Sequence, residues 1–248
     1  MERFIAYFDY LGFKEFIERN DLDYQKRIIG NNFRDMEGAL GLGKYKEVPH
    51  GIIADISDSS INCINFSDTI IFFTNDTSDF SLEEILKVAH KFNWTAIDFC
   101  FPVRGSIVLG EMIYVDHKKN TQGGGIYNIN SVFGKGLVNA HLKADSQDWA
   151  GTVLDRSFIK EIEGRGHNVE EFLSPYAKKY NVPYKNGIAD EQEFVLNIIK
   201  GDLNEEAFKN YSTGIRDNFS AHNKSVNNEG VQRKIENTLL FLKSYCIK

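Results

Sequence analysis

The chain opens with an unbroken apolar run, Phe4-Ile5-Ala6-Tyr7-Phe8, that stops at Asp9. Residues 3–9 therefore read as a short buried strand, and Gly12-Phe13 opens a helical pattern with Phe13, Phe16 and Ile17 on one face. A second helical segment follows Asn20-Asp21 and runs to about Leu40, where Gly41-Leu42-Gly43 ends it. Residues 44–57 read as loop, and strand signals return at 59–66 and 69–74, joined by a tight hairpin at Ser67-Asp68. Ser81-Leu82-Glu83-Glu84 is the pattern of a cap and first helical turn, continued by Ile85, Val88, Ala89, Phe92 and Ile97 to about Phe99. Pro102 leads into a strand over 103–109, and another strand follows Gly110 to near Asp116. This β-α-β-β-α-β order predicts an α+β fold with a ferredoxin-like or palm-type antiparallel sheet. Helices are expected on one face, leaving the other open to a ligand or partner.

The second half is less periodic. Lys118, Lys119 and Gly123-Gly124-Gly125 lack the Gly-Lys-Ser/Thr continuation of a phosphate loop, so 117–125 reads as a flexible hairpin loop. Val132, Leu137, Val138, Ala140, His141 and Leu142 suggest an amphipathic helix over 131–144 behind a Gly turn. A short strand is expected at 152–154, a short helix at 155–163, then a polar stretch and helices near 203–219 and 229–247. The domain reading is a catalytic unit over 1–200 with a C-terminal helical extension, 201–248, packed on it.

Composition narrows the classes. The 248 residues are 42% hydrophobic and 26% charged, ordinary globular values, and 19 Phe and 11 Tyr supply a large core. A net charge of −6 argues against a nucleic-acid binder but leaves room for a small anionic substrate held by local cations. No apolar run is long enough to span a bilayer, and the first residues carry no cleavage-site pattern. Cys63, Cys100 and Cys246 have neither zinc spacing nor a paired framework and read as reduced thiols of a cytoplasmic protein. The six histidines show no metal-like spacing and read as surface or satisfied side chains.

The candidate chemistry lies in two acids at strand ends, Asp9 before Tyr10-Leu11-Gly12-Phe13 and Asp68 between two strand-like runs. Carboxylates on adjacent strands can bridge two Mg²⁺ or Mn²⁺ ions about 3.5–4 Å apart. Backbone amides at Leu11-Gly12-Phe13 would then face phosphates, with Gly12 allowing close approach. The plain alternative is that Asp9 caps a helix and Asp68 fills a turn. Arg104 reads equally as a phosphate contact or as the partner of a neighbouring acid, and Lys185 as a triphosphate contact or a solvated loop residue.

Four ordered blocks carry a family resemblance. Phe8-Asp9-Tyr10-Leu11-Gly12-Phe13 resembles the F-x-D-Φ-x-G-F segment of class III nucleotidyl cyclases, with its first residue shifted, and Phe66-Ser67-Asp68 resembles their second metal-binding turn. Val103-Arg104-Gly105-Ser106-Ile107-Val108-Leu109-Gly110-Glu111 is similar to their R-x-G-I-x-x-G strand, and Phe133-Gly134-Lys135-Gly136-Leu137-Val138-Asn139-Ala140 to their W-G-x-x-V-N-x-A helix start. The likeness is closest to the pyrimidine cyclases of bacterial Pycsar anti-phage systems and covers residues 3–145, with Val182-Pro183-Tyr184-Lys185 as a fifth block.

That resemblance implies a homodimeric enzyme with shared active sites that turns UTP or CTP into a 3′,5′-cyclic nucleotide and pyrophosphate, using two Mn²⁺ or Mg²⁺ ions per site. It implies metal ligation by Asp9, Asp68 and the Tyr10 carbonyl, and triphosphate binding by Leu11, Gly12, Phe13, Arg104 and Lys185. The family's Asn and Arg, four apart on the helix, fall on Val138 and Leu142 in gapless register. A shift of one gives Asn139 and Lys143, one helical turn apart. The misfit keeps open a non-catalytic, cyclase-like nucleotide sensor. A diguanylate-type enzyme is disfavoured, since no Gly-Gly-Asp/Glu-Glu-Phe segment occurs.

Overall fold

The first strand sorts its side chains between two cores. Phe4, Ala6, Phe8 and Tyr10 enter the larger one, while Ile5 and Tyr7 point to the opposite face, as the period of two requires. A computed structural model describes residues 1–99 and 101–247 of the chain, so the expectation for Cys100 lies outside the described residues. Among these, Cys63 and Cys246 are free thiols, and burial pushes the Cys63 thiol up to about 12.

Strand β1 (Glu2–Tyr10) leads into helices α1 (Phe13–Arg19) and α2 (Leu22–Leu40). A small hairpin, β2 (Tyr45–Val48) and β3 (Gly51–Ala54), precedes β4 (Asn62–Phe66), β5 (Thr69–Phe73) and helix α3 (Asp79–Phe99). Next come β6 (Val103–Glu111), the hairpin β7 (Ile113–Asn120) and β8 (Ile126–Phe133), helix α4 (Lys135–Asp145) and β9 (Thr152–Leu154). Helices α5 (Arg156–Gly164) and α6 (Val169–Leu173) follow, then β10 (Ala177–Tyr180), β11 (Pro183–Tyr184), β12 (Gly187–Ile188) and β13 (Glu193–Leu196). Helices α7 (Glu205–Ser220) and α8 (Glu229–Lys243) end the described chain.

The main sheet runs β10-β13-β9-β6-β1-β5-β4. Its β6-β1-β5-β4 portion is antiparallel throughout, the order of the ferredoxin-like split βαβ unit that the sequence predicts. Strand β9 extends it by pairing parallel to β6, and β13 and β10 follow antiparallel. Residues of α2, α3, α7 and α8 share the large core with the sheet, where Phe8, Phe72 and Phe92 meet edge to face. Asn218 of α7 donates to the carbonyls of Ile97 and Asp98, and Thr238 of α8 accepts from the Ala150 amide.

Five expectations need correction. Residues 44–57 are not a plain loop: β2 and β3 pair there, off the main sheet and exposed, so no buried alternation marks them. Lys118 and Lys119 belong to β7, and only the turn around Gly123-Gly124-Gly125 is loop; Ser131–Phe133 pair with Ile113–Val115, which delays α4 to Lys135. Helix α3 starts at Asp79, because Ser78 rather than Ser81 takes the capping role and accepts from the Ser81 amide at 3.2 Å. The polar stretch before 203 holds four short strands whose apolar content is too brief to show as a pattern.

The sheet's second face is also not left open. Helix α4 lies on it, with Ala140 and Ala144 packed among Ile5, Tyr7, Ile71, Phe73 and Val108. Two glycines set this docking: a Cβ on Gly110 of β6 would stand 2.6 Å from the Gly136 Cα, and one on Gly136 would stand 2.7 Å from the Gly110 carbonyl carbon. Helix and strand backbones therefore touch where any side chain would part them. Gly110→Val is expected to destabilise the protein by about 3 kcal/mol through overpacking. Urea denaturation checks this; an unchanged midpoint would show that α4 is not held by that contact.

Candidate active site

Three rows of side chains cross the face under α4. Ile5 stands opposite Phe73 and Val108, then Tyr7 opposite Ile71 and Ser106, then Asp9 opposite Thr69 and Arg104. The face thus passes from apolar to charged within four residues, at the end where β1 gives way to the Leu11-Gly12 turn. Asp68 sits beside this last row in the β4–β5 hairpin, where Ser67 adopts a left-handed φ of 57° and the Asp68 carbonyl accepts from the Tyr10 amide at 2.9 Å. Alternation along β1 and the tight hairpin bring the two predicted acids together.

Asp9 is mostly buried and paired with Arg104, whose Nε and Nη2 lie 2.9 and 2.8 Å from Oδ2. Burial pushes the Asp9 carboxyl above its ordinary value; Arg104 pulls it back, and the Asp68 carboxylate adds to the rise. Asp68 has no side-chain hydrogen bond or ion pair among the described residues. Arg104 also reaches the far end of α4, with Nη2 2.7 Å from Asp145 Oδ1 and Nη1 3.1 Å from the Asp145 carbonyl. Lys185 meets the other oxygen of that carboxylate at 2.9 Å, and this contact, more than Arg104, holds the Asp145 carboxyl below its usual range. Asp9, Arg104, Asp145 and Lys185 form one chain of alternating charge.

Tyr7 and His141 flank the acids. The Tyr7 hydroxyl lies 3.0 Å from His141 Nδ1 and 3.3 Å from Thr69 Oγ1. Burial raises the Tyr7 phenol, and Asp9 and Asp68 reinforce the rise, so it stays protonated. Tyr7, Thr69, His141 and Asp145 were not among the predicted site residues. Alternation offers a signal for Tyr7, two positions before Asp9 on the same face. Asp145 and His141 depend on how α4 is laid over the sheet, which no local pattern encodes.

The remaining candidates divide. Gly12 takes φ 80°, a conformation open to glycine, and heads α1; a Cβ there would also come 2.8 Å from Lys224 Cδ. The Leu11 amide is already bonded to the Pro102 carbonyl at 2.9 Å, so it is not free for phosphate, whereas the Gly12 and Phe13 amides have no partner among the described residues. Tyr10 turns its ring into the large core, against Phe13 and Phe101. Asn139 is exposed on α4. Lys143 is bound to Glu193 and lies 5.0 Å above the Tyr184 ring, so it is not brought to Asp9.

The donor set suits a hard cation that completes its shell from a substrate. No group of three or more His, Cys, Asp or Glu side chains among the described residues is arranged to hold a metal unaided. Two neighbouring carboxylates, one of them without a side-chain partner among the described residues, match magnesium or manganese sites that use one or two protein acids plus phosphate oxygens and water.

No family model and no curated protein sequence matches the chain. Among solved structures, the guanylate cyclase domain of RhGC from Catenaria anguillulae, in complex with GTP, is similar at 8% identity and TM-score 0.49, over 79% of this chain and 96% of that one. The adenylyl cyclase CyaB from P. aeruginosa gives 10% and 0.47, over 82% and 97%. A class III adenylyl cyclase-like ATP-binding protein from Pseudomonas aeruginosa gives 11% and 0.41, over 65% and 34%.

Replacing Arg104 with Leu leaves Asp9 and one side of Asp145 without their cation. Because the Arg104 and Asp9 side chains are 15% and 17% exposed, the loss at neutral pH is expected to be about 3 kcal/mol. The Asp9 carboxyl rises further in the variant. A protonated Asp9 needs no cation, so the deficit shrinks as pH falls through that raised value. Carboxyl NMR titration and denaturation at several pH values check both; an unmoved Asp9 titration would overturn the assignment.

Proposed function

We propose that the protein is a metal-dependent pyrimidine nucleotide cyclase, converting UTP or CTP into 3′,5′-cyclic UMP or cyclic CMP and pyrophosphate. The observation that carries this reading is Asp9 near the end of β1 beside the Asp68 hairpin, whose carbonyl accepts from the Tyr10 amide, next to Gly12 and Phe13 amides without a partner among the described residues. The ordered motif blocks support the pyrimidine preference and a second-messenger role in anti-phage defence, and the three widely spaced cysteines support a cytoplasmic setting.

In the reaction the substrate's 3′-oxygen forms a bond to its own α-phosphorus. The bond from that phosphorus to the β-bridging oxygen breaks, and the 3′-hydroxyl proton passes to solvent. Such transfers depend on alignment and charge neutralisation. Asp9 and Asp68, with the Tyr10 carbonyl, would hold Mg²⁺ or Mn²⁺, which lowers the hydroxyl's hold on its proton and offsets phosphate charge. Gly12 and Phe13 direct amides at the triphosphate, and Arg104 and Lys185 supply positive charge around Asp145.

A homodimer completes the site in this reading. Val138 and Leu142, one turn apart on α4, are 55% and 59% exposed, and Phe133 just before the helix is 50% exposed. They form an apolar strip on the outer side of α4, the side that also carries Asn139. Asn139 and Lys143 of one copy would serve the acids of the other. One observation favours the alternative of a nucleotide-binding sensor without turnover: Lys143 is already engaged by Glu193 and Tyr184.

Incubating the full chain with each of the four nucleoside triphosphates and Mn²⁺ or Mg²⁺ is expected to yield cyclic UMP or cyclic CMP by mass spectrometry. Binding without cyclic product from any of them would select the sensor. Asp9→Asn and Asp68→Asn are each expected to lower turnover by about a hundredfold or more with unchanged circular dichroism. Leu142→Glu is expected to give a monomer in sedimentation and to lose turnover with it; a monomeric wild-type protein would remove the shared site.

A further inference from the structure

The turn that carries Asp68 is held by a residue outside it. Phe66 and Thr69 pair across β4 and β5, so Ser67 and Asp68 form a two-residue hairpin. Such turns need a positive φ at their first position and favour glycine there. Ser67 takes that place at φ 57°, a left-handed conformation that costs a residue with a Cβ. The Asp68 carboxylate has no side-chain hydrogen bond or ion pair among the described residues, so its place follows from the backbone beneath it. Three successive carbonyls fix that backbone. The Asn65 side-chain amide donates to the Ser67 carbonyl at 3.3 Å and to the Thr69 carbonyl at 3.0 Å, and between them the Tyr10 amide donates to the Asp68 carbonyl at 2.9 Å. Ile64 packs with the core under α4, so alternation turns Asn65 to the other face, where it lines a cavity with Tyr10 and Asn32. Asn65 thus acts from behind the turn, on the face away from Asp9.

We propose that Asn65 is a positioning residue for the cation site: its amide clamps the carbonyls on either side of Asp68 and so fixes the point from which that carboxylate meets a cation shared with Asp9. The inference rests on the reading of Asp9 and Asp68 as cation ligands and adds the residue that sets where the second one stands. The two acids are held in unequal ways. Asp9 is fixed through its side chain by Arg104, on a strand paired along both edges, whereas Asp68 is fixed through its backbone alone. A magnesium-sized cation tolerates little error in ligand position, so the less constrained acid limits the site. An amide suits the task because it carries no charge and presents two N–H donors at once, which a hydroxyl cannot do. Folding alone does not call for it. Position 65 is exposed, and the β4–β5 register is already set by Cys63 opposite Phe72 and Ile64 opposite Ile71. A glycine at 67 would relieve the left-handed strain but leave the turn freer to move.

The test uses the full chain and two readouts that do not involve turnover. One is Mn²⁺ binding followed by electron paramagnetic resonance; the other is hydrogen exchange of the Tyr10 amide, which reports on the Asp68 carbonyl. Asn65→Leu keeps the size of the side chain and removes both donors, and Asn65→Ala removes the side chain beyond Cβ. Each is expected to weaken Mn²⁺ binding by about tenfold, as loss of a group that orients a metal ligand does, and to speed Tyr10 exchange. The melting temperature is expected to stay close to that of the wild type, since position 65 is exposed. Asp68→Asn supplies the reference: it loses Mn²⁺ binding and leaves Tyr10 exchange unchanged. Any loss of turnover in Asn65→Leu is expected to shrink as Mn²⁺ is raised, which a weakened fold would not produce. Unchanged Tyr10 exchange in both Asn65 variants overturns the proposal, as does full Mn²⁺ affinity in them where Asp68→Asn has lost it. Faster Tyr10 exchange in the Asn65 variants of a protein whose Mn²⁺ binding is indifferent to Asp68→Asn upholds the clamp and removes the cation reading.

Discussion

The site depends on a carboxylate drawn into the partly buried end of a sheet. Asp9 is the penultimate residue of a strand in which the five residues before it are buried, and α4 closes over the face on which it stands. An ionised acid there needs a cation, and the antiparallel register supplies one by placing Arg104 directly opposite. From that pair the charge extends outward: Arg104 engages Asp145, and Asp145 engages Lys185. The end of α4, the β6 strand and the segment after β11 are thereby tied to the same carboxylate. The Gly110–Gly136 contact matters for the same reason, because it sets how closely α4 approaches and hence where Asp145 and His141 fall.

Much of the first half is legible in the sequence because its elements are buried on one or both faces. The run ending at Asp9, the Ser67-Asp68 hairpin and the apolar spacing of α3 all follow from burial, and their order gives the ferredoxin-like core. The β2–β3 hairpin and strand β8 are exposed, so the alternation that would reveal them is missing, whereas the first half of β7 follows from the strand signal after Gly110. The placement of α4 is illegible for a different reason. Its own pattern predicts a helix, but that it covers the face carrying Asp9 follows from a glycine contact between residues 26 positions apart, Gly110 and Gly136.

The candidate site divides along the same line. Asp9, Asp68 and Gly12 are visible because each interrupts a local pattern: an acid after a strand, an acid in a hairpin, a glycine before a helix. The partners that decide what those residues can do are distant in sequence. Arg104 reads equally as a phosphate contact or an acid's partner until the register is known. Lys143 looks like a free cation on a helix until Glu193 arrives from β13. Local sequence marks where charge interrupts apolar structure; topology decides which charges meet.

Arg104 holds Oδ2 of Asp9, so in the proposed site a cation would have to draw on a carboxylate that this guanidinium already engages. If Asp9 turns toward a cation shared with Asp68, the guanidinium is not stranded, because Nη2 and Nη1 already hold the carboxylate and carbonyl of Asp145. Cation binding there would then cost one ion pair instead of leaving a bare charge in a half-buried setting. In the unloaded state the same Arg104 keeps Asp9 from rising to the protonated form that its burial favours. One arginine thus offsets the burial of Asp9, and an acid on a separate helix would keep that arginine paired if Asp9 turned to a cation.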